Sequence, residues 1–140
     1  MYRRDYILRL IERFGRMLIA LRNRILNREL DSAQARIEIH EIARESGLDL
    51  DVARQLDPAM LLMWLAPGDD IDEAKLWLMG ELLYLEGLEA RGANEDGGRD
   101  DLSRALALFG RLPREWKPHP DLPSAGERAD EIRQLLPSTF

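Results

Sequence analysis

The chain of 140 residues has no cysteine. That excludes disulfides, thiolate catalysis and cysteine-based zinc sites, and fits a reducing compartment, so the cytoplasm is the expected location. Long hydrophobic runs are missing too. The longest covers residues 59–66, eight positions where a membrane-crossing helix needs about twenty, and near the start it is 17–21, too short for the apolar core of a secretory signal. No stretch alternates apolar and polar residues as a half-buried strand would. No glycine-rich turn follows a strand, so a phosphate-cradling loop is not expected; Gly97 and Gly98 sit between two helical patterns. Histidine is scarce. His40 and His119 are the only two, and nothing in their spacing from each other or from Glu41 and Glu45 suggests a metal site. No cofactor is implied.

What is present is a charge asymmetry. The first thirty residues hold eight arginines against three acids, a balance of +5 that leaves −11 for the rest of a chain whose net charge is −6. An acidic total argues against general nucleic-acid binding, although a local basic face can still meet anions. The length suits one domain, 1–140.

Helical periodicity is strongest at the start. Ile7, Ile11, Phe14, Leu18, Leu21 and Ile25 recur at spacings of four and three, which predicts an amphipathic helix over residues 2–29, with Arg9, Arg13 and Arg16 on the opposite, hydrated face. Leu8, Gly15, Ile19 and Leu26 form a second apolar line about a quarter turn away, so this helix needs two packing partners. Asp31 or Ser32 caps a second helix that ends near Gly47, with Ala35, Ile39, Ile42 and Ala43 inward. Residues 48–56 read as a short helical turn. Asp57 and Pro58 then open a helix that is apolar all round and must be buried by this chain or by something else.

Asp69, Asp70 and Asp72 favour the positive end of the next helix, which runs to about Arg91. Leu76, Trp77, Leu78, Met79, Leu82, Leu83, Tyr84, Leu85 and Leu88 occupy nearly every direction around it, the mark of a central helix. Gly80 and Gly87 share one face and cost about 1 kcal/mol each against alanine, so a close neighbour is expected there. A sixth helix turns Leu102, Ala105, Leu106, Phe109 and Leu112 towards that central one. Pro113, Pro118, Pro120 and Pro123 forbid regular structure, and Trp116 pins the segment. Ser124 and Glu127 have capping-box spacing before a last short helix with Ala125, Ala129, Ile132 and Leu136 inward.

The run from Asp5 to Glu12, followed by Phe14, Arg16 and Leu18, resembles the start of a family of uncharacterised bacterial all-helical proteins. The resemblance continues through residues 47–51 and the later helices to Leu112, leaving 113–140 as a proline-rich connection and short helix outside the family-like core. It implies tetratricopeptide-like helical hairpins, with Leu76, Met79, Gly80 and Leu83, then Ala105 and Phe109, at the small and large positions. Gly80 and Ala105 lie too far apart in sequence for a regular 34-residue repeat. It implies no catalytic residues and no settled activity.

The expected fold is therefore all-α, a bundle of about five to seven helices with tetratricopeptide-like hairpins and a long amino-terminal amphipathic helix. Chemistry is sparse. Glu81, Glu86 and Glu89 could in principle do acid–base work but read better as solvated or salt-bridged helix edges. Asn94, Asp96 and Asp100 hint at a calcium loop, which Arg99 and Ala105 spoil at the positions needing glycine and an acid. The expected function is a protein-interaction or assembly module, with Trp64, Trp77 and Tyr84 as possible anchors if they are not core. Two alternatives use the first helix. Its stripe could enter a lipid surface while the arginines meet anionic headgroups, or its second line could make a symmetric homodimer contact at Gly15. A small enzyme of unknown class is a further alternative.

Overall fold

A helix that is apolar in every direction is stable only when neighbours surround it, and every residue from 76 to 88 is buried. The computed structural model describes residues 2–68, 72–94 and 98–136, with the side chains of 2–8 and 93 excepted. Ile7 and Leu8 (as side chains), Asp69, Asp70, Asp96 and Gly97 thus lie outside the described residues. In chain order the elements are α1 (Tyr2–Leu26), α2 (Ser32–Glu45), α3 (Leu50–Ala53), α4 (Pro58–Leu65), α5 (Glu73–Ala93), α6 (Arg99–Gly110) and α7 (Ala125–Leu135). The described residues are all-helical, with no strand.

Helix α5 is the axis. α6 returns antiparallel along it, and α1, α2 and α3 cover other sides; α4 and α7 pack on α6. The two glycines of α5 lie where α6 comes closest. A Cβ on Gly80 would stand 2.8 Å from Phe109 Cζ, and one on Gly87 would stand 2.6 Å from Leu102 Cγ and 3.2 Å from the Gly98 carbonyl oxygen. At Gly80 the close neighbour is therefore an aromatic ring, and at Gly87 it includes backbone. Gly98 has φ +77, a left-handed value that lets the chain turn into α6 directly against Gly87.

The stripe of α1 is inside: Ile11, Phe14, Leu18 and Leu21 are buried, and Ile25 packs at the edge. Each fully buried side chain of this size contributes on the order of 1.5–3 kcal/mol before entropy is counted. The helix ends at Leu26, earlier than its pattern suggests, because Arg28 takes φ 56 and the Arg28 and Glu29 amides donate back to the Ile25 and Arg24 carbonyls. Aspartates open the helices that follow. Asp31, Asp57 and Asp72 accept from the amides of Gln34, Met60 and Lys75 at 2.8, 2.8 and 3.1 Å. The capping box of α7 is complete, since Ser124 accepts from the Glu127 amide and Glu127 from the Ser124 amide.

The proline-rich segment between α6 and α7 is held by its backbone. The Ala125 amide donates to the Trp116 carbonyl at 2.9 Å, Gly126 to Arg114 at 2.8 Å, and the indole of Trp77 donates to the Pro123 carbonyl at 3.1 Å. Trp116 itself is only partly buried, and the fully inserted residue of this segment is Leu122.

Candidate functional site

Two sites stand out against this frame, one apolar and exposed, one polar and buried. The apolar one is α4. With the sequence Pro-Ala-Met-Leu-Leu-Met-Trp-Leu it carries no charge, yet only Leu61 and Leu65 are buried. Met60, Met63 and Trp64 are 55%, 72% and 42% exposed, so this chain covers one side of α4 and leaves the other bare. The all-round apolar pattern of 59–66 is thus only half satisfied by the fold. Asp57, exposed, caps this helix at its start.

The polar site is built on the glutamates of α5. Of the two readings of Glu81 and Glu86, solvated or salt-bridged helix edges, the salt-bridged one holds and the solvated one does not: both are paired with arginines and both are buried, because neighbouring helices close over every side of α5. Glu81 meets Arg128 of α7 through a two-pronged contact of 2.5 and 3.1 Å. Arg128 also reaches Glu131, which accepts from the Tyr84 hydroxyl at 2.7 Å and from Arg22 of α1 at 3.0 Å. Burial pushes the Glu81 carboxyl above the usual carboxylate range against the pull of Arg128, and pushes the Tyr84 phenol up to about 12. The group joins α1, α5 and α7, and its charges satisfy one another.

Glu86 lies in a second cluster. Arg54, just after α3, contacts Glu86 Oε2 at 3.3 Å and grips Asp101 of α6 with two contacts of 3.1 Å, while Arg104 of α6 donates to the Leu56 carbonyl at 2.6 Å. Asp101 is buried, whereas its first-turn position in the sequence suggests only a charge facing the helix start. A concavity of roughly 660 Å³ lined by Arg54, Arg104, Asp100, Asp101 and Gly98 opens beside the cluster. Its central charges are spent on each other. His40 of α2 faces the last free edge of Glu86, with Nε2 at 3.4 Å from Oε1. Among the described residues no group of three or more histidines and acids is arranged to hold a metal ion.

The remaining candidate residues divide between core and surface. Trp77 and Tyr84 are buried, so they are core and cannot serve as anchors, while Trp64 is available. Gly15 faces inward: a Cβ there would stand 2.7 Å from Leu122 Cδ1 and 3.3 Å from the Trp77 ring, which takes it away from any symmetric dimer contact. Ile19 packs against the same core, and Leu26 is exposed, so the second line of α1 does not form one continuous face. The lipid reading meets the same obstacle, because Ile11, Phe14 and Leu18 are covered by the chain itself. Arg9, Arg13 and Arg16 are exposed as expected, and Arg16 pairs with Glu12 at 3.1 Å and Asp121 at 3.3 Å. No described helix is long and apolar enough to cross a membrane.

The buried polar groups leave one further signal in the sequence. Arg128 sits among Ala125, Ala129 and Ile132 on the inner stripe of α7, a position that obliges a charge to find a partner inside. Compared with family models, with curated proteins and with solved structures, the chain matches none. The family resemblance of residues 5–112 thus rests on those residues alone.

Proposed function

We propose that the protein is a non-catalytic, cytoplasmic interaction module, organised around a tetratricopeptide-like α5–α6 hairpin, whose docking element is α4. The observation that carries this reading is the bare face of Met60, Met63 and Trp64 on a helix whose inner residues are already buried. A tryptophan flanked by methionines suits recognition, because the indole supplies a large anchor and thioethers adapt to the shape of the partner. Exposed Asp57 at the start of α4 and the net charge of −6 favour an amphipathic partner helix with basic residues flanking its apolar stripe. The polar clusters favour an enzyme less, since their arginines and carboxylates are paired with one another.

The test is affinity capture from the native cell with the wild type and with Met63→Glu, followed by reconstitution of any recovered polypeptide from purified components. Met63→Glu should weaken the reconstituted complex at least about tenfold, as loss of a central apolar contact does. Its unfolding free energy should shift by less than about 0.5 kcal/mol, as for other surface changes. Equal binding by both proteins, or no recovered polypeptide that binds in reconstitution, rejects α4 as the docking element.

A further inference from the structure

Glu86 Oε1 is the one buried side-chain oxygen or nitrogen among the described residues that accepts or donates no hydrogen bond. A buried carboxylate oxygen left bare is costly, and the nearest group able to cover it is the His40 ring. That ring is 37% exposed, so it touches both solvent and the buried acid. Its other nitrogen, Nδ1, lies 3.9 Å from Asp51 of α3. A neutral imidazole has a single N–H and leaves a lone pair facing one of these two carboxylates; only the imidazolium presents a proton to both.

We propose that His40 and Glu86 form a proton-operated latch between α2 and α5: with His40 protonated, Nε2–H closes on Glu86 Oε1 while Nδ1–H faces Asp51 and α2 is held down, and with the proton gone the ring can serve only one of the two carboxylates, its charge no longer offsets the buried Glu86, and α2 loosens. The remaining charges around the ring fix how the latch behaves. Asp51 of α3 lies beside Nδ1, Arg54 after α3 contacts the other oxygen of Glu86, Arg36 of α2 also acts on Glu86, Arg54 and Arg104 share Asp101 of α6 behind it, and Glu41 and Arg44 of α2 line the same concavity as the ring. Burial holds the Glu86 carboxyl above the usual range, so at low enough pH the acid itself is neutralised and the ionic part of the latch is lost. His119 is built differently, because its Nδ1 accepts from the Asp121 amide at 3.2 Å, which occupies that nitrogen's lone pair.

With only two histidines in the chain, each imidazole signal is assigned by a single substitution. Imidazole Cε1–H resonances and amide exchange of the full-length protein should be followed from about pH 5 to about pH 8.5, the span in which histidine changes charge. After correction for the intrinsic pH dependence of exchange, opening of α2 and α3 should rise about fivefold as the His40 signal moves to its neutral position, a change in keeping with one partly exposed charged hydrogen bond. His40→Gln and Glu86→Gln should each remove that pH dependence, and His119→Gln should leave it unchanged. Flat protection of α2 across the His40 titration overturns the latch, as does the same pH dependence surviving in either His40→Gln or Glu86→Gln. If one of these two variants fails to fold, the other alone decides.

Discussion

The glycines of α5 and the arginine of α7 show how single positions set the packing. Gly80→Ala places a methyl group 2.8 Å from the Phe109 ring, which is buried and has nowhere to swing. Overpacking of this kind costs about 1–3 kcal/mol, and urea denaturation should show the midpoint falling without a change in slope. Gly15→Ala meets the flexible end of Leu122 and should cost less, although the Trp77 ring stands just behind. Arg128→Met removes the partner of a fully buried carboxylate and should destabilise by about 3–5 kcal/mol at neutral pH. The sign of its pH dependence follows from Glu81. Burial raises this carboxyl in the folded state, and a group raised on folding contributes stability that is present at low pH and lost as pH rises through its folded value. With Arg128 gone that effect is unopposed, so Arg128→Met should be less destabilised near about pH 5 than near about pH 8. Denaturation at the two values checks the direction, and Glu81→Met in the same chain should recover most of the loss.

Among the elements, those with one polar side are legible in the amino-acid sequence. The stripe and exposed arginines of α1, the inner residues of α2 and the capping box of α7 follow from spacing and from the short side chains able to accept backbone N–H groups. Ser124→Ala should therefore cost about 1 kcal/mol, measured by thermal or urea unfolding, because it removes the acceptor at the start of a short helix. Helix α4 is not legible in the same way. Eight apolar residues in succession mark no side as the inner one, and only the position of α6 decides that Leu61 and Leu65 go in and Met60, Met63 and Trp64 stay out. In α5 the pattern correctly indicates a central helix, yet the same enclosure hides the partners of Glu81 and Glu86, which come from residues 47 and 32 positions distant in the chain. A carboxylate in a helix with no polar side announces that a cation is needed and does not say which one.

At the scale of the whole molecule, the charge asymmetry resolves into ties between the first helix and the rest. Arg16, Arg22 and Arg24 reach Asp121, Glu131 and Glu38, so the basic start is held by acids from later in the chain as well as by its apolar stripe. The exposed pairs of Arg16 and Arg24 are worth at most about 1 kcal/mol each, so the apolar stripe is a larger contribution than they are to holding α1, and the part-buried Arg22–Glu131 pair adds to it. The same arrangement explains why the lipid and dimer readings of α1 are reasonable in one dimension: a basic amphipath is the same object whether it covers a membrane, a second copy or its own core. Which of these it covers is decided by Trp77 and Leu122 meeting Gly15, a contact between residues far apart in sequence that no local pattern encodes.

Because a single rod lies at the middle and the remaining helices lean on it, loosening at the periphery and collapse of the whole are separable events. Loosening of one outer helix wets only the side of α5 that it covers, and the backbone amides of residues 76–88, hydrogen-bonded within their own helix, should be the last to exchange. A protein organised in this way can let its rim move in response to a proton or a partner without putting its centre at risk.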